Sequence, residues 1–305
     1  MVPTHRRHAK GTRYLGFLCV WCLLVATLFF SLAGCRPPND TAPATPPGTI
    51  EIKGSDTLVN LALAWVEGYQ LVQPDVRISV TGGGSGTGIA SMINGTVDIA
   101  ASSRDMTSRE FEAARAAGMD PVEFVVALDA IAIVVHLENP IEQLTIQQIT
   151  DIYTGRITNW AELGSYDRPI VLVSRESNSG TYVYFLEHVL RRDPARADAR
   201  FSPDSLLMPS SEGISTEVRQ NRNAIGYDGL GYVTPDKKVV AVGLDPEGPF
   251  VLPSIETVRD GTYVISRPLH VYTTGEPVGE VREFLEWVLT DGQEMVRELG
   301  FVPLD

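Results

Sequence analysis

Arg175-Glu176-Ser177-Asn178-Ser179-Gly180-Thr181 sets a permanent cation, hydroxyls and a glycine amide in one short stretch. The run before it, Pro169–Ser174, is apolar and β-branched and reads as a buried strand. The run after it, Tyr182–Leu190, reads as a helix. Unpaired N–H groups and the dipole at a helix start favour an anion, and an arginine fork suits two oxygens of one oxyanion. A capped helix with a surface arginine is the plain alternative. Loops of the same make earlier in the chain argue against it: Gly54-Ser55-Asp56-Thr57, Gly82-Gly83-Gly84-Ser85-Gly86-Thr87-Gly88 and Ser102-Ser103-Arg104-Asp105.

The glycine-rich loop fits G-x-G-x-x-G in no register, and it has no lysine to make a P-loop. It does free backbone N–H groups, with Ser85 and Thr87 as further donors. Catalysis gains little support: His136, His188 and His270 stand apart from the serine loops, and Ser85 and Ser179 lack the G-x-S-x-G elbow. No His/Asp/Glu cluster has metal-ligand spacing, so neither metal nor cofactor is expected.

The elements that would position these loops follow a pattern. Strands at Thr49–Lys53, Val76–Val80 and Val97–Ala101 each run through a polar loop into a helix, at Leu58–Tyr69, Ile89–Asn94 and Ser108–Ala117. Strand–loop–helix repeated three times predicts a parallel sheet with its loops at the carboxyl ends of the strands, where ligands bind. Phe124–His136, apolar but broken at Asp129, and Thr262–Thr273 read as two crossings between two α/β groups, with a cleft between hinged lobes. Between them Thr145 and Gln148 form a capping box and Gly155 stops that helix; Ser215–Asn221 reads as a short helix and Ala224–Tyr227 as a strand. Val278–Leu299 reads as one closing amphipathic helix.

The first residues differ from the rest. Arg6, Arg7, Lys10 and Arg13 precede an uncharged apolar stretch, Tyr14–Gly34, which Cys35 ends. Leu32-Ala33-Gly34-Cys35 resembles the lipobox of bacterial lipoproteins, implying cleavage before Cys35 and its lipidation; a transmembrane anchor is the alternative. Cys19 and Cys22 fall inside the apolar stretch, so their CxxC spacing reads as chance. Residues 35–48 are proline-rich and read as an extended tether. Removing residues 1–34 takes the formal net charge from −13 to −17, which disfavours nucleic acid or an anionic membrane surface as partner.

In order, the loops, together with Ile157-Thr158-Asn159-Trp160 and Ala224-Ile225-Gly226-Tyr227 through Gly231-Tyr232, resemble the phosphate-binding proteins of bacterial phosphate ABC transporters, over most of residues 50–300. The resemblance implies a two-lobed periplasmic-binding-protein fold of type II, α/β, each lobe a mainly parallel sheet flanked by helices. Lobe 1 would be residues 49–133 plus 264–305 and lobe 2 residues 134–263. It implies a monomeric extracytoplasmic receptor, not an enzyme, that closes on inorganic phosphate and delivers it to permease subunits with their ATPase. Carried over, the ligands are Ser55, Thr57, Ser85, Ser103, Arg175, Ser179, Gly180 and Thr181, with Asp56, Gly86, Thr87, Arg104, Asp105 and Ser177 as secondary candidates. One departure matters: better-known members carry an aspartate where Ser103 stands, to accept the proton of hydrogen phosphate and reject sulfate. Asp56 or Asp105 would have to replace it. Alternatives are a receptor for another oxyanion such as sulfate, or a secreted phosphate-handling enzyme or signalling module on the same fold.

Overall fold

The computed structural model describes residues 49–304; the expected leader, Cys35 and the tether lie outside them. Strand β1 (Thr49–Gly54) buries alternate residues, Ile50 and Ile52 among them, as a half-buried strand should. It feeds helix α1 (Asp56–Val72), whose Leu58, Leu61, Trp65 and Tyr69 form the buried stripe. The unit recurs as β2 (Arg77–Thr81) with α2 (Ser85–Ile93), and as β3 (Ile99–Ser102) with α3 (Ser108–Ala116). Both β2 and β3 pair in parallel with β1, so the three loops leave one end of the sheet. Two helices start earlier than the sequence predicts, which puts Asp56, Thr57, Ser85, Gly86 and Thr87 in their first turns. Gly83 and Gly84, at φ +114° and +89°, make the sharp turn before α2.

The two stretches expected to be crossings form β4 (Val122–Val135) and β10 (Ser266–Thr273), paired antiparallel with Arg267 opposite Asp129. Asp129, the acid that interrupts the apolar run, does not interrupt the strand. The strand runs straight through because Arg267 neutralises a carboxylate that would otherwise be intolerable at full burial. The packing changes on either side of that pair. Val126 and Ala127 share a core with Trp65, Phe284 and Phe301; Ala130, Ile131 and Ile133 share another with Tyr153, Trp160 and Phe185.

Beyond β4 lie β8 (Ala224–Gly229), antiparallel to it, then β6 (Val171–Arg175) and the edge strand β7 (Leu206–Met208), both parallel. β9 (Lys238–Gly243) pairs with β4 and with β5 (Gln143–Thr145). The path is therefore β2-β1-β3-β10-β4-β8-β6-β7. Helix α4 (Ile146–Tyr153) has the predicted Thr145/Gln148 capping box. The helix after Arg175 divides into α5 (Gly180–Phe185) and one π turn, Leu186–Leu190. α6 (Ser211–Gln220) begins before Ser215 because Ser210 caps it. After α7 (Ile255–Arg259), the single closing helix predicted from the pattern is two, α8 (Gly279–Val288) and α9 (Gln293–Glu298). Gly292 stands at the break, where its carbonyl accepts the Trp65 indole N–H at 2.9 Å.

Candidate anion site

Four loop ends meet where the parallel strands run out. Ser103 N–H donates to Ser85 Oγ at 3.0 Å, and the two hydroxyl oxygens are 3.4 Å apart. Gly180, the first residue of α5, is packed against both: a Cβ there would stand 2.3 Å from Ser85 Oγ and 2.7 Å from Ser103 Oγ. One residue on, Thr181 Oγ1 lies 3.0 Å from Thr57 Oγ1 of α1. Ser55, Thr57, Ser85, Ser103, Ser179 and Thr181 are all buried. Ser179 caps α5, its hydroxyl accepting from Tyr182 N–H at 3.4 Å. Asn178 bridges the loops, accepting from Gly86 N–H at 3.1 Å and donating to Gly83 O at 2.8 Å. These hydroxyls, with the helix starts behind them, suit an oxyanion better than any carbon skeleton.

Arg175 is buried beside them, but it does not present an open fork. Its Nη2 donates to Asp56 Oδ2 at 2.7 Å and to Pro209 O at 3.0 Å; Nη1 donates to Ser211 Oγ at 3.1 Å, and Nε to Met208 O at 3.3 Å. One of its five N–H donors is left, so the two-oxygen grip expected from the sequence is not available in this arrangement. Asp56 also receives Gly83 N–H, at 3.2 Å, which ties the glycine-rich turn to the ion pair.

Two of the secondary candidates stand apart and a third is ion-paired. Arg104 makes a two-point ion pair with Glu110, at 2.8 and 2.7 Å, and its buried Nε has no hydrogen-bond partner. Asp105 is exposed and lies 3.2 Å from His270 Nε2. Ser177 is exposed. Gly86 and half-buried Thr87 stay in the first turn of α2 beside Ser85.

The site has a second guanidinium that the loop motifs do not reveal. Arg267, wholly buried, donates from Nη2 to Thr181 Oγ1 at 3.1 Å and to Thr57 Oγ1 at 3.4 Å, and from Nη1 to Ser103 O at 2.9 Å. Asp129 holds it from the other side at 2.9 and 3.1 Å. Burial pushes the Asp129 carboxyl up, and Arg267 pulls against that shift. The signal in the sequence was a lone acid and a lone base, each inside an apolar strand, which can be buried only as a pair. Each guanidinium is thus matched by a carboxylate, Arg175 by Asp56 and Arg267 by Asp129.

Two neighbouring features do not compete for that anion. A cavity of about 310 Å³ is lined by Arg104, Asp105, Tyr184, His188, Arg267 and His270, but both guanidiniums there are already paired. Asp105, Glu123 and His270 also gather, with donor atoms within 4.8 Å of one another. Glu123 Oε1 is 2.6 Å from His270 Nδ1 and Asp105 is at the opposite ring nitrogen. The two carboxylates face opposite nitrogens of one imidazole, and a single ion cannot bind both nitrogens.

Residues 39–292 match the model of the PBP superfamily domain. The phosphate-binding protein PstS of Pseudomonas aeruginosa PAO1 is 34% identical over 310 residues, covering 92% of this chain and 94% of that protein. The PstS protein of Bacillus subtilis is 32% identical over 259 residues, covering 84% and 81%. A substrate-binding protein of a phosphate ABC transporter from Clostridium perfringens, solved with bound phosphate, superposes with TM-score 0.75 at 33% identity, over 84% of this chain and 100% of that one. With the fold, the loop order and these likenesses in agreement, the chain belongs to the PstS family of phosphate-binding proteins, transport receptors and not enzymes.

Proposed function

We propose that this chain is an extracytoplasmic receptor that binds inorganic phosphate and hands it to the permease of an ABC importer. The observation that carries the reading is the cluster of Thr57, Ser85, Ser103, Gly180 and Thr181, gathered from four loop ends beside Arg175. Phosphate oxygens would take over the hydroxyl–hydroxyl contacts, with Ser55 and Ser179 completing the shell and one Arg175 N–H supplying charge. Asp56 is the acid best situated to accept the proton of hydrogen phosphate, since it lies against Arg175 and Asp105 is engaged by His270. The two core clusters support two lobes divided at the Asp129–Arg267 pair, with β4 and β10 as hinge crossings. Lipidation of Cys35 would anchor a monomer to the membrane.

Ser103, standing where an aspartate is expected, favours sulfate as the second reading. Calorimetric titration separates them: phosphate should bind and sulfate should bind far more weakly. Asp56→Asn should narrow that ratio at least tenfold, about 1.4 kcal/mol, because the proton acceptor is gone. Equal affinity of the wild type for both anions would overturn the phosphate assignment. Mass spectrometry of membrane-extracted protein checks the anchor: lipid on Cys35 and no residues 1–34.

A further inference from the structure

Behind Arg175 runs a buried polar chain that belongs to none of the anion loops. Ser211, at the start of α6, accepts from Arg175 Nη1, and its hydroxyl lies beside the carboxyl of Asp228, at the end of β8. Asp228 Oδ2 accepts from Ser215 Oγ at 3.3 Å and Oδ1 from Gly229 N–H at 3.0 Å. Lys237 Nζ donates to Ser215 Oγ and, at 2.7 Å, to Tyr232 O. Tyr232 OH donates to Asp56 O at 2.7 Å, so the chain returns to the carboxylate residue that faces Arg175. Asp228, Lys237, Ser211 and Ser215 are each at most 5% exposed. A buried acid, a buried base and two hydroxyls exceed what packing of α6 on β8 requires, and the chain reaches Arg175 and Asp56 at the anion site.

We propose that Asp228 is a positioning residue: through Ser211 it fixes Arg175 for the anion, and it takes up a proton as the anion binds. The inference rests on the phosphate reading. The charged groups facing Asp228 are Lys237 and Arg175, and the phenol of Tyr232 is the other titratable neighbour. Desolvation pushes the Asp228 carboxyl up to about 7 and pushes Lys237 down, both toward their neutral forms. An ionised Asp228 offsets Arg175 and opposes an anion; a protonated one does not. By linkage, anion binding raises the proton affinity of Asp228, and affinity falls as pH rises through about 7.

Phosphate itself titrates in this range, so the test compares variants. Phosphate binding is measured by calorimetry on wild type, Asp228→Asn and Ser211→Ala at about pH 6 and 8.5, in buffers of different ionisation enthalpy. Asp228→Asn should lose part of the pH dependence, up to about tenfold between the two pH values, and take up fewer protons on binding. Ser211→Ala should weaken binding several-fold at both pH values, because Arg175 loses its brace. If Asp228→Asn folds and keeps the wild-type pH slope and proton count, the inference is overturned. If it does not fold, wild-type affinity in Ser211→Ala overturns it. A wild type that binds no phosphate at either pH overturns the phosphate reading and the inference together.

Discussion

With four of its N–H donors bonded to protein, Arg175 would meet an anion as a fixed group rather than a free arm. Lysine cannot reproduce that set, so Arg175→Lys should weaken phosphate binding moderately. Arg175→Ala should cost about 2–5 kcal/mol, part of it from Asp56 left without its cation. Adding Asp56→Asn to Arg175→Ala should therefore recover some affinity. Arg156 is 62% exposed and 3.5 Å from Asp151, far from the hydroxyls, so Arg156→Ala should be neutral within about 0.5 kcal/mol. Titration calorimetry reads all four, and wild-type affinity in Arg175→Ala would move the anion elsewhere. The hydroxyl residues were legible in the sequence because a strand, a short polar turn and a helix leave their signature within a dozen residues. Arg267 was not, since its partner is 138 residues away and neither stands in a loop. Arg104 differs again: its motif is local, and the Thr107/Glu110 capping box nearby supplies a carboxylate that pairs with it.

Among the elements, β4 and β10 carry the Asp129–Arg267 pair that joins three of the loops. Removing one partner of the Asp129–Arg267 pair leaves a buried charge, so Asp129→Asn or Arg267→Met should destabilise by about 3–5 kcal/mol in urea unfolding. The double variant Asp129→Leu/Arg267→Met should regain most of that stability but not phosphate binding, since Thr57, Thr181 and Ser103 lose their shared donor. Equal recovery of both would make the pair a packing feature only. The pattern of apolar residues announced β4 and β10. It did not announce β5 and β7, three residues each, which are too short for a period to register. The break between α8 and α9 escaped for a different reason. The apolar stripe continues across it, and the reason for the stop is Trp65, from the other end of the chain, bonding to Gly292.

At the scale of the whole molecule, the candidate site draws on residues 55–57, 85, 103, 175–181 and 267, which lie far apart in the sequence. Contacts such as Thr57–Thr181 and Asn178–Gly83 join these parts directly, so they are the ones a hinge would open. Solution scattering should give a smaller radius of gyration with saturating phosphate than without; an unchanged radius would mean a preformed site. The antiparallel pairing of β10 with β4 also has a kinetic meaning. Loops encoded in the first sixty described residues cannot be clamped by Arg267 until more than 260 residues of chain are present. Closing so long a loop is slow compared with making local strand–helix units. Arg267 is thus supplied after every loop it joins, and a polypeptide interrupted before β10 would carry all of them without the donor shared by Thr57, Thr181 and Ser103.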